Sequence, residues 1–443
     1  MIRQLTICLT ATGLTILSGC GGGGGGDTLV TPVANSCSAQ GQVDFMFNLM
    51  NDIYFWIDEV PPVANVGFTT PEAVLEAFRF QPLDTFSGLR DRAANDAFFS
   101  NSQFIGFGFG TSVTDDNQLR LTQVFGDGAA AAAGLARGDT ITAIDGRAVS
   151  EILAADELGS AFGPSEEGVA ATLDYIDAMG NNLTVQLTKG VVTIETVSRV
   201  NTFDVAGRTV GYLSFRTFVE PAFAALDTAI ADLAAAGVQS LVLDLRYNGG
   251  GLIDVAEQLA SQVGGAATVG QIFARRLHNA ANSDLNVTTR FNNETTALSV
   301  TDVVVITTGA TASASELVIN ALRPFVPVTV VGSNSFGKPV GSYQYEFCDK
   351  VAVPTAFESV NANNDGRFFD GFVPDCPAAD DLDNPLGDAA EASLAEALFV
   401  IENGACSANS RRVARSASAR ATVDGQRRAL RALSDWQQTL VAF

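Results

Sequence analysis

The chain has 443 residues, 47% of them apolar and 17% charged, and a net charge of −23. Such a length allows two or three domains with sizeable cores, and the composition reads as globular. The acidic balance argues against nucleic acid as a partner, because phosphate binding needs a basic face.

Residues 1–20 read as a targeting segment and stand apart from the fold. Arg3 supplies a positive start, Leu5 to Leu17 is mostly apolar, and Leu17-Ser18-Gly19-Cys20 follows. This resembles a bacterial lipoprotein signal, which implies that Cys20 carries lipid in the mature protein. An ordinary secretory signal cleaved elsewhere is the other reading. Residues 21–36 open with six glycines and would act as a flexible tether. In a Gram-negative cell, Gly21 after the cysteine implies an outer-membrane anchor facing the periplasm. No other stretch reaches the roughly 18 apolar residues needed to span a bilayer.

Export makes the cysteines informative. Cys8 leaves with the signal, so Cys37, Cys348, Cys376 and Cys406 remain, an even number in an oxidising compartment. Four cysteines allow three pairings. Cys348 and Cys376 flank one segment, which favours that pair and leaves Cys37 with Cys406. Metal binding is poorly supported, because there is no C-x-x-C and one histidine, His278.

Residues 37–96 read as a helical region. "VDFMFNLMNDIYFWIDEVP" has helical apolar spacing up to Pro61-Pro62, and "TPEAVLEAFRF" starts with Thr70 as cap and Pro71 at the first helical position. Residues 97–195 carry short β-type runs: "FIGFGFGTSV" as a strand, "TITAIDGRAV" with a hairpin signal at Asp145-Gly146, then "LTVQLTKG" and "VVTIETVSRV". Residues 196–406 alternate strand and helix: "RTVGYLSF", "PAFAALDTAIADLAAAG", "SLVLDLR", "LIDVAEQLASQV", "DVVVITTG", a serine-rich helix and "VTVVGS". Such alternation with very apolar strands predicts a largely parallel sheet covered by helices. Ligand sites then lie at the carboxyl ends of strands, where "DLRYNGGG" and "TTGATASAS" fall. Residues 407–443 form a tail in which Arg411 to Phe443 holds seven arginines against Asp424 and Asp435. A solvated tail is the plainer reading, and contact with the acidic body or anionic lipid the alternative.

The chemistry centres on a rare residue. The chain has three lysines, Lys189, Lys338 and Lys350, and Lys338 follows Ser313 by 25 positions. A nucleophilic serine needs a base that can be neutral. Arginine cannot lose its proton, whereas a buried lysine can. Phe336, Gly337, Val340 and Gly341 give Lys338 apolar, closely packed surroundings. Ser313-Ala314-Ser315-Glu316 also fits a plain capping box. The glycines after "LDLRYN" let backbone N–H groups approach an oxyanion, although a tight turn would use them equally. A Ser-His-Asp triad has one candidate histidine, His278, which sits in "FARRLHN", a strand-like run with no obvious role. "NANNDGRFFDGF" echoes a calcium loop but has Phe372 where a bidentate glutamate is required, and reads as a turn.

Three stretches in order carry a resemblance: Asp244-Leu-Arg-Tyr-Asn-Gly-Gly250-Gly251, Ser313-Ala-Ser-Glu316 and Gly337-Lys338. They resemble the carboxyl-terminal processing, or tail-specific, serine proteases, in the lipoprotein-type branch suggested by "DIYFWIDEVP" and the four cysteines. The resemblance implies a crotonase/ClpP-like α/β catalytic domain with a mixed sheet and covering helices, beside a β-rich PDZ domain and the N-terminal helical region. It makes Ser313 the nucleophile, Lys338 the general base, Glu316 an orienting residue, and the N–H groups of Gly250 and Ala314 the oxyanion hole. Gly106, Phe107 and Gly108 match the PDZ loop that binds a peptide C-terminal carboxylate. No metal or cofactor is implied, and the partners are proteins with accessible C-termini. Two positions depart: many members have glutamine where Ser342 stands, and proline where Gly249 stands. A catalytically silent PDZ scaffold that binds peptides is the alternative.

Overall fold

The computed structural model describes residues 36–412. The leader at 1–20 with Cys20, nearly all of the 21–36 tether, and the tail from 413 onward lie outside the described residues. Among the described residues no helix is long and apolar enough to cross a membrane.

The N-terminal helix Ala39–Ile53 starts at Ser38, whose hydroxyl accepts the Gly41 N–H at 3.1 Å. It buries Val43, Phe45, Met46, Leu49, Met50 and Ile53, the stripe that its spacing predicts. The helix stops before Pro61-Pro62, earlier than the pattern suggests. Tyr54 turns extended and donates its hydroxyl to Asp84 at 2.7 Å, and the Phe55 N–H donates to Thr355 O at 2.9 Å. Tertiary partners thus break a run that local spacing would continue. The helix Pro71–Phe78 has the expected Thr70 cap on the Ala73 N–H at 3.2 Å. Further on, Gly88–Asp91 is a strand where helix was expected, paired antiparallel with Lys350–Val353.

The β-rich body folds as a meander, Phe109–Val113, Leu119–Val124, Thr140–Ile144, Ala170–Ile176 and Asn182–Thr188, around Phe107, Leu121, Ile141 and Leu173. "FIGFGFGTSV" is two strands, not one. Gly108 has φ +88°, and a Cβ there would lie 2.6 Å from Gly128 Cα, so two backbones touch at the break. Asp145 and Gly146 both take positive φ, the two-residue turn that a hairpin of this twist demands.

The larger body holds a six-stranded sheet in the order Val197–Val205, Arg208–Phe215, Ser240–Asp244, Val303–Thr307, Val328–Gly332, Cys376–Pro377. The first pair is antiparallel and the others parallel. Helices Ala222–Ala235, Ile253–Gly264 and Ala314–Leu322 share one core with this sheet, and Ala392–Asn403 packs into another. An antiparallel sheet, Val287–Arg290, Ile272–His278, Thr355–Val360 and Val340–Ser342, stands beside it.

The disulfides correct the expected pairing. Cys37 bonds Cys348, and Cys376 bonds Cys406; neither Cys348–Cys376 nor Cys37–Cys406 forms. The first helix packs on the hairpin that carries Cys348, with Phe45 and Phe347 stacked at 4.4 Å. The helix Ala392–Asn403 packs into the same core as Cys376, which brings Cys406 back to it. Packing of elements distant in sequence decides both bridges, which a count of flanking residues does not capture.

Candidate active site

Strands Ser240–Asp244 and Val303–Thr307 are parallel neighbours, with Asp244 opposite Ile306. Their following loops therefore leave the sheet side by side and bond to each other. Thr311 Oγ1 donates to Leu245 O at 2.7 Å, and the Ala312 N–H to Asn248 O at 3.0 Å. Ser315 Oγ also donates to Asn248 O, at 2.9 Å. Ser313 is thereby held at φ +56°, ψ −115°, directly before the helix Ala314–Leu322. A non-glycine residue in this region stores strain of order 1–3 kcal/mol and persists only where its surroundings dictate it.

Glu316, fully buried, is the centre of the arrangement. Its Oε2 accepts the Ser313 N–H at 3.0 Å and the Lys338 N–H at 2.8 Å. Its Oε1 accepts the Gly337 N–H at 2.7 Å and the Ser335 hydroxyl. Ser335 in turn accepts the Phe372 N–H at 2.7 Å. One carboxylate oxygen thus joins the backbones of Ser313 and Lys338. Burial raises the carboxyl to about 7, although four donors oppose that rise. The capping-box spacing is therefore present, but its glutamate also serves a loop 21 residues away.

Lys338 is 2% exposed, and its Nζ has no hydrogen-bond partner. The amine lies 5.5 Å from the centre of the Phe86 ring. Burial holds its pKa well below the ordinary lysine value; the Arg90 charge adds to this, and Asp84 and Glu316 oppose it. An ammonium is thus disfavoured, as a general base at this position requires. Lys338 Nζ and Ser313 Oγ do not hydrogen-bond here, and such bonds commonly tighten only around a substrate. Ser342 Oγ is also buried without a partner; Gln344, two residues on, accepts from Asn95 at 2.8 Å.

Gly250 has φ +102° and lies against the serine: a Cβ would be 2.8 Å from both Ala314 N and Ser313 Cβ. Its N–H donates to Asn248 Oδ1 at 3.0 Å. The two expected donors, Gly250 and Ala314, are therefore adjacent, but the first is engaged. The upstream Asp-Leu-Arg run anchors this loop. Arg246, 1% exposed, pairs with Asp244 at 2.7 Å and with Glu391 at 2.8 Å, and the Tyr212 hydroxyl donates to Asp244 at 2.7 Å.

Gly106, Phe107 and Gly108 lie in the β-rich body. Phe107 stacks with Phe109 at 6.0 Å, and Lys189 Nζ lies over its ring at 5.3 Å. That body joins the larger one through Arg137, which donates to the Tyr247 hydroxyl at 2.6 Å and pairs with Asp380 at 2.9 Å. His278 lies in the antiparallel sheet, with Nε2 2.9 Å from the Tyr343 hydroxyl, and takes no part in the serine cluster. Asn361 caps a tight turn through its Oδ1, accepting from Asn363 and Asp365, and Phe372 is buried. Sequence reasoning missed Phe86, Asp84, Arg90, Ser335, Asp380 and Glu391. They reach the site from distant segments, and no spacing rule marks them.

Comparison with known proteins follows the same lines. Residues 209–378 match the model of Peptidase family S41, and residues 41–88 that of the Peptidase S41 N-terminal domain. The carboxy-terminal-processing protease of Bartonella bacilliformis is 31% identical over 245 residues, 54% of this chain and 52% of its own. The chloroplastic C-terminal processing peptidase of Tetradesmus obliquus is 30% identical over 224 residues, 48% of this chain and 46% of its own. The chain thus spans about half the length of these curated relatives. A crystal structure described as a putative S41 protease from Bacteroides fragilis has the same fold. It shows a TM-score of 0.65 at 24% identity, covering 81% of this chain and 96% of that one. Family models and curated relatives thus agree in their direction: residues 209–378 are similar to peptidase family S41, and these two relatives are carboxy-terminal processing proteases.

Proposed function

We propose that this chain is a serine endopeptidase that cleaves exported proteins through a Ser313/Lys338 dyad. The observation that carries the reading is a dry lysine amine without a partner, whose backbone shares one carboxylate oxygen with that of the serine. Uncharged Lys338 takes the proton of Ser313 as its Oγ bonds to the scissile carbonyl carbon. The oxyanion receives the Ala314 N–H and, once it leaves Asn248, that of Gly250. Lys338 then returns the proton to the departing amine. Water, activated by the same amine, cleaves the acyl-enzyme.

Gly106, Phe107 and Gly108 present a PDZ-type loop to the substrate C-terminus, and lipid on Cys20 holds the protein at the outer membrane facing the periplasm. On unfolded protein substrates the wild-type chain cuts, and Ser313→Ala is slower by about 10³-fold or more. Equal cutting by both removes Ser313 from the mechanism. If the wild type leaves every unfolded substrate intact, the peptide-binding scaffold is the better reading.

Gly250→Ala tests the oxyanion loop separately. The atoms facing a new Cβ are backbone atoms and Ser313 Cβ, none of which can swing away, and φ +102° is strained for alanine. The loop must then move off the serine, and a displacement near 1 Å costs about 10²-fold in rate. A steady-state assay reading less than a fivefold loss in kcat/KM would count against this loop.

A further inference from the structure

The N-terminal region does not form a separate cap. Its helices share one core with Ala312, Phe336, Val340 and Phe357, the residues around Ser313 and Lys338. One turn of that region meets the lysine directly. Asp84 Oδ1 accepts the N–H groups of Phe86 at 3.1 Å and Ser87 at 2.9 Å. Asp84 Oδ2 accepts the Tyr54 hydroxyl at 2.7 Å. Arg79 donates to Asp84 O at 3.0 Å and to Ser87 O at 2.9 Å. The Thr355 N–H donates to Ser87 Oγ at 2.9 Å. Five residues thus fix a turn whose outcome is the placing of one ring. Phe86, 3% exposed, meets Phe336 edge-on at 6.1 Å and puts its own face toward the Lys338 amine.

We infer that Phe86 is a positioning residue for the reaction, its ring roofing the Lys338 amine so that water stays out and the amine is left to face Ser313. This rests on the protease reading above and assigns the N-terminal region a part in it. Three charged groups act on the amine: Arg90 on the strand Gly88–Asp91, Asp84 in the turn, and Glu316 on the serine helix. Arg90 disfavours the ammonium, and the two acids favour it. Arg90 itself is anchored to Asn95 Oδ1 at 3.3 Å.

The ring has two opposed effects. Excluding water favours the neutral amine, by as much as about 3 to 5 pH units for a fully buried lysine. The ring face attracts an ammonium, an effect of about one pH unit. Exclusion dominates, which separates the two substitutions. Phe86→Leu keeps the roof and removes the ring face, so the amine titrates at the same pH or lower. Phe86→Ala admits water and raises the titration by at least about one unit.

Three lysines make this directly readable. The full chain, labelled with ¹³C at lysine Cε, is titrated by NMR, with Lys338→Arg to assign the signal. The expected wild-type Lys338 signal titrates well below the ordinary lysine range, with Phe86→Leu at the same pH or lower and Phe86→Ala above it. The half-maximal pH of cleavage should follow the same order, which a purely structural role of Phe86 would not produce. A folded Phe86→Ala whose Lys338 titrates as in the wild type overturns the assignment. If thermal melting shows that this variant does not fold, Phe86→Val takes its place, with the same direction expected and the same result overturning it. The titration needs no turnover, so loss of the protease reading and loss of the Phe86 assignment are separate results.

Discussion

Lys338→Arg should abolish cleavage, by about 10³-fold or more in kcat, with no recovery at any pH where the protein stays folded. The substitution keeps a cation of similar reach, so a purely electrostatic role would survive it. A general base does not survive, because guanidinium holds its proton throughout the accessible range. A second guanidinium would also enter the surroundings of half-buried Arg90, which already disfavours positive charge there. Removing a positioned base usually costs 10²–10⁴-fold. The wild-type profile fixes the sign. The lowered pKa of Lys338 means that the neutral amine appears well below the ordinary lysine range, so cleavage rises with pH through that lowered value and then levels off. A Lys338→Arg enzyme retaining a tenth of wild-type kcat/KM would remove the lysine from proton transfer.

Glu316→Gln separates catalysis from stability. The carboxylate accepts four hydrogen bonds, two on each oxygen. An amide nitrogen at either position faces donors. On the Oε2 side it meets the Ser313 and Lys338 N–H groups. On the Oε1 side Ser335 can rotate to accept, but the Gly337 N–H is stranded. Stranding one donor costs about 1–3 kcal/mol. Removing the buried charge returns a similar amount, because raising a carboxyl from its ordinary 4.5 to about 7 corresponds to roughly 3 kcal/mol. Thermal unfolding should therefore change little, while kcat falls by about 10²-fold as the shared oxygen is lost. The pH signs of Glu316 oppose each other. Its raised pKa gives a stability contribution that is full below the unfolded value and lost as pH rises through about 7. Activity needs the ionised form and is lost as pH falls through the same value. Calorimetry beside kcat over pH 5 to 9 checks both; full activity in Glu316→Gln would leave the clamp without a catalytic part.

Much of the site is written locally. A lysine-poor chain with one lysine placed between glycines, 25 residues after a serine at a helix start, marks its candidate base by rarity. The parallel strands are nearly pure Val, Leu and Ile, so the two loops that meet at Ser313 could be expected at their ends. The remainder depends on long-range packing. Nothing near Tyr54 announces that Asp84 will end its helix, and nothing near Phe86 announces an amine 252 positions later. Arg246 reads as part of a run with Asp244, yet it also pairs with Glu391, which no spacing links to it. The cysteines give an even count, but the pairing follows which helix lies on which hairpin.

That pairing has a consequence for how the molecule meets a cut in its own backbone. The Cys37–Cys348 bond closes a covalent ring through 311 positions of the chain, and both Ser313 and Lys338 lie inside it. A backbone cut anywhere within the ring, by a neighbour or by another copy, opens the circle without releasing a piece. The severed ends remain tethered beside one another and can stay folded. Damage that would shed a fragment from an unbridged chain here leaves one particle of unchanged mass but for a water, until a reductant reaches the sulfurs.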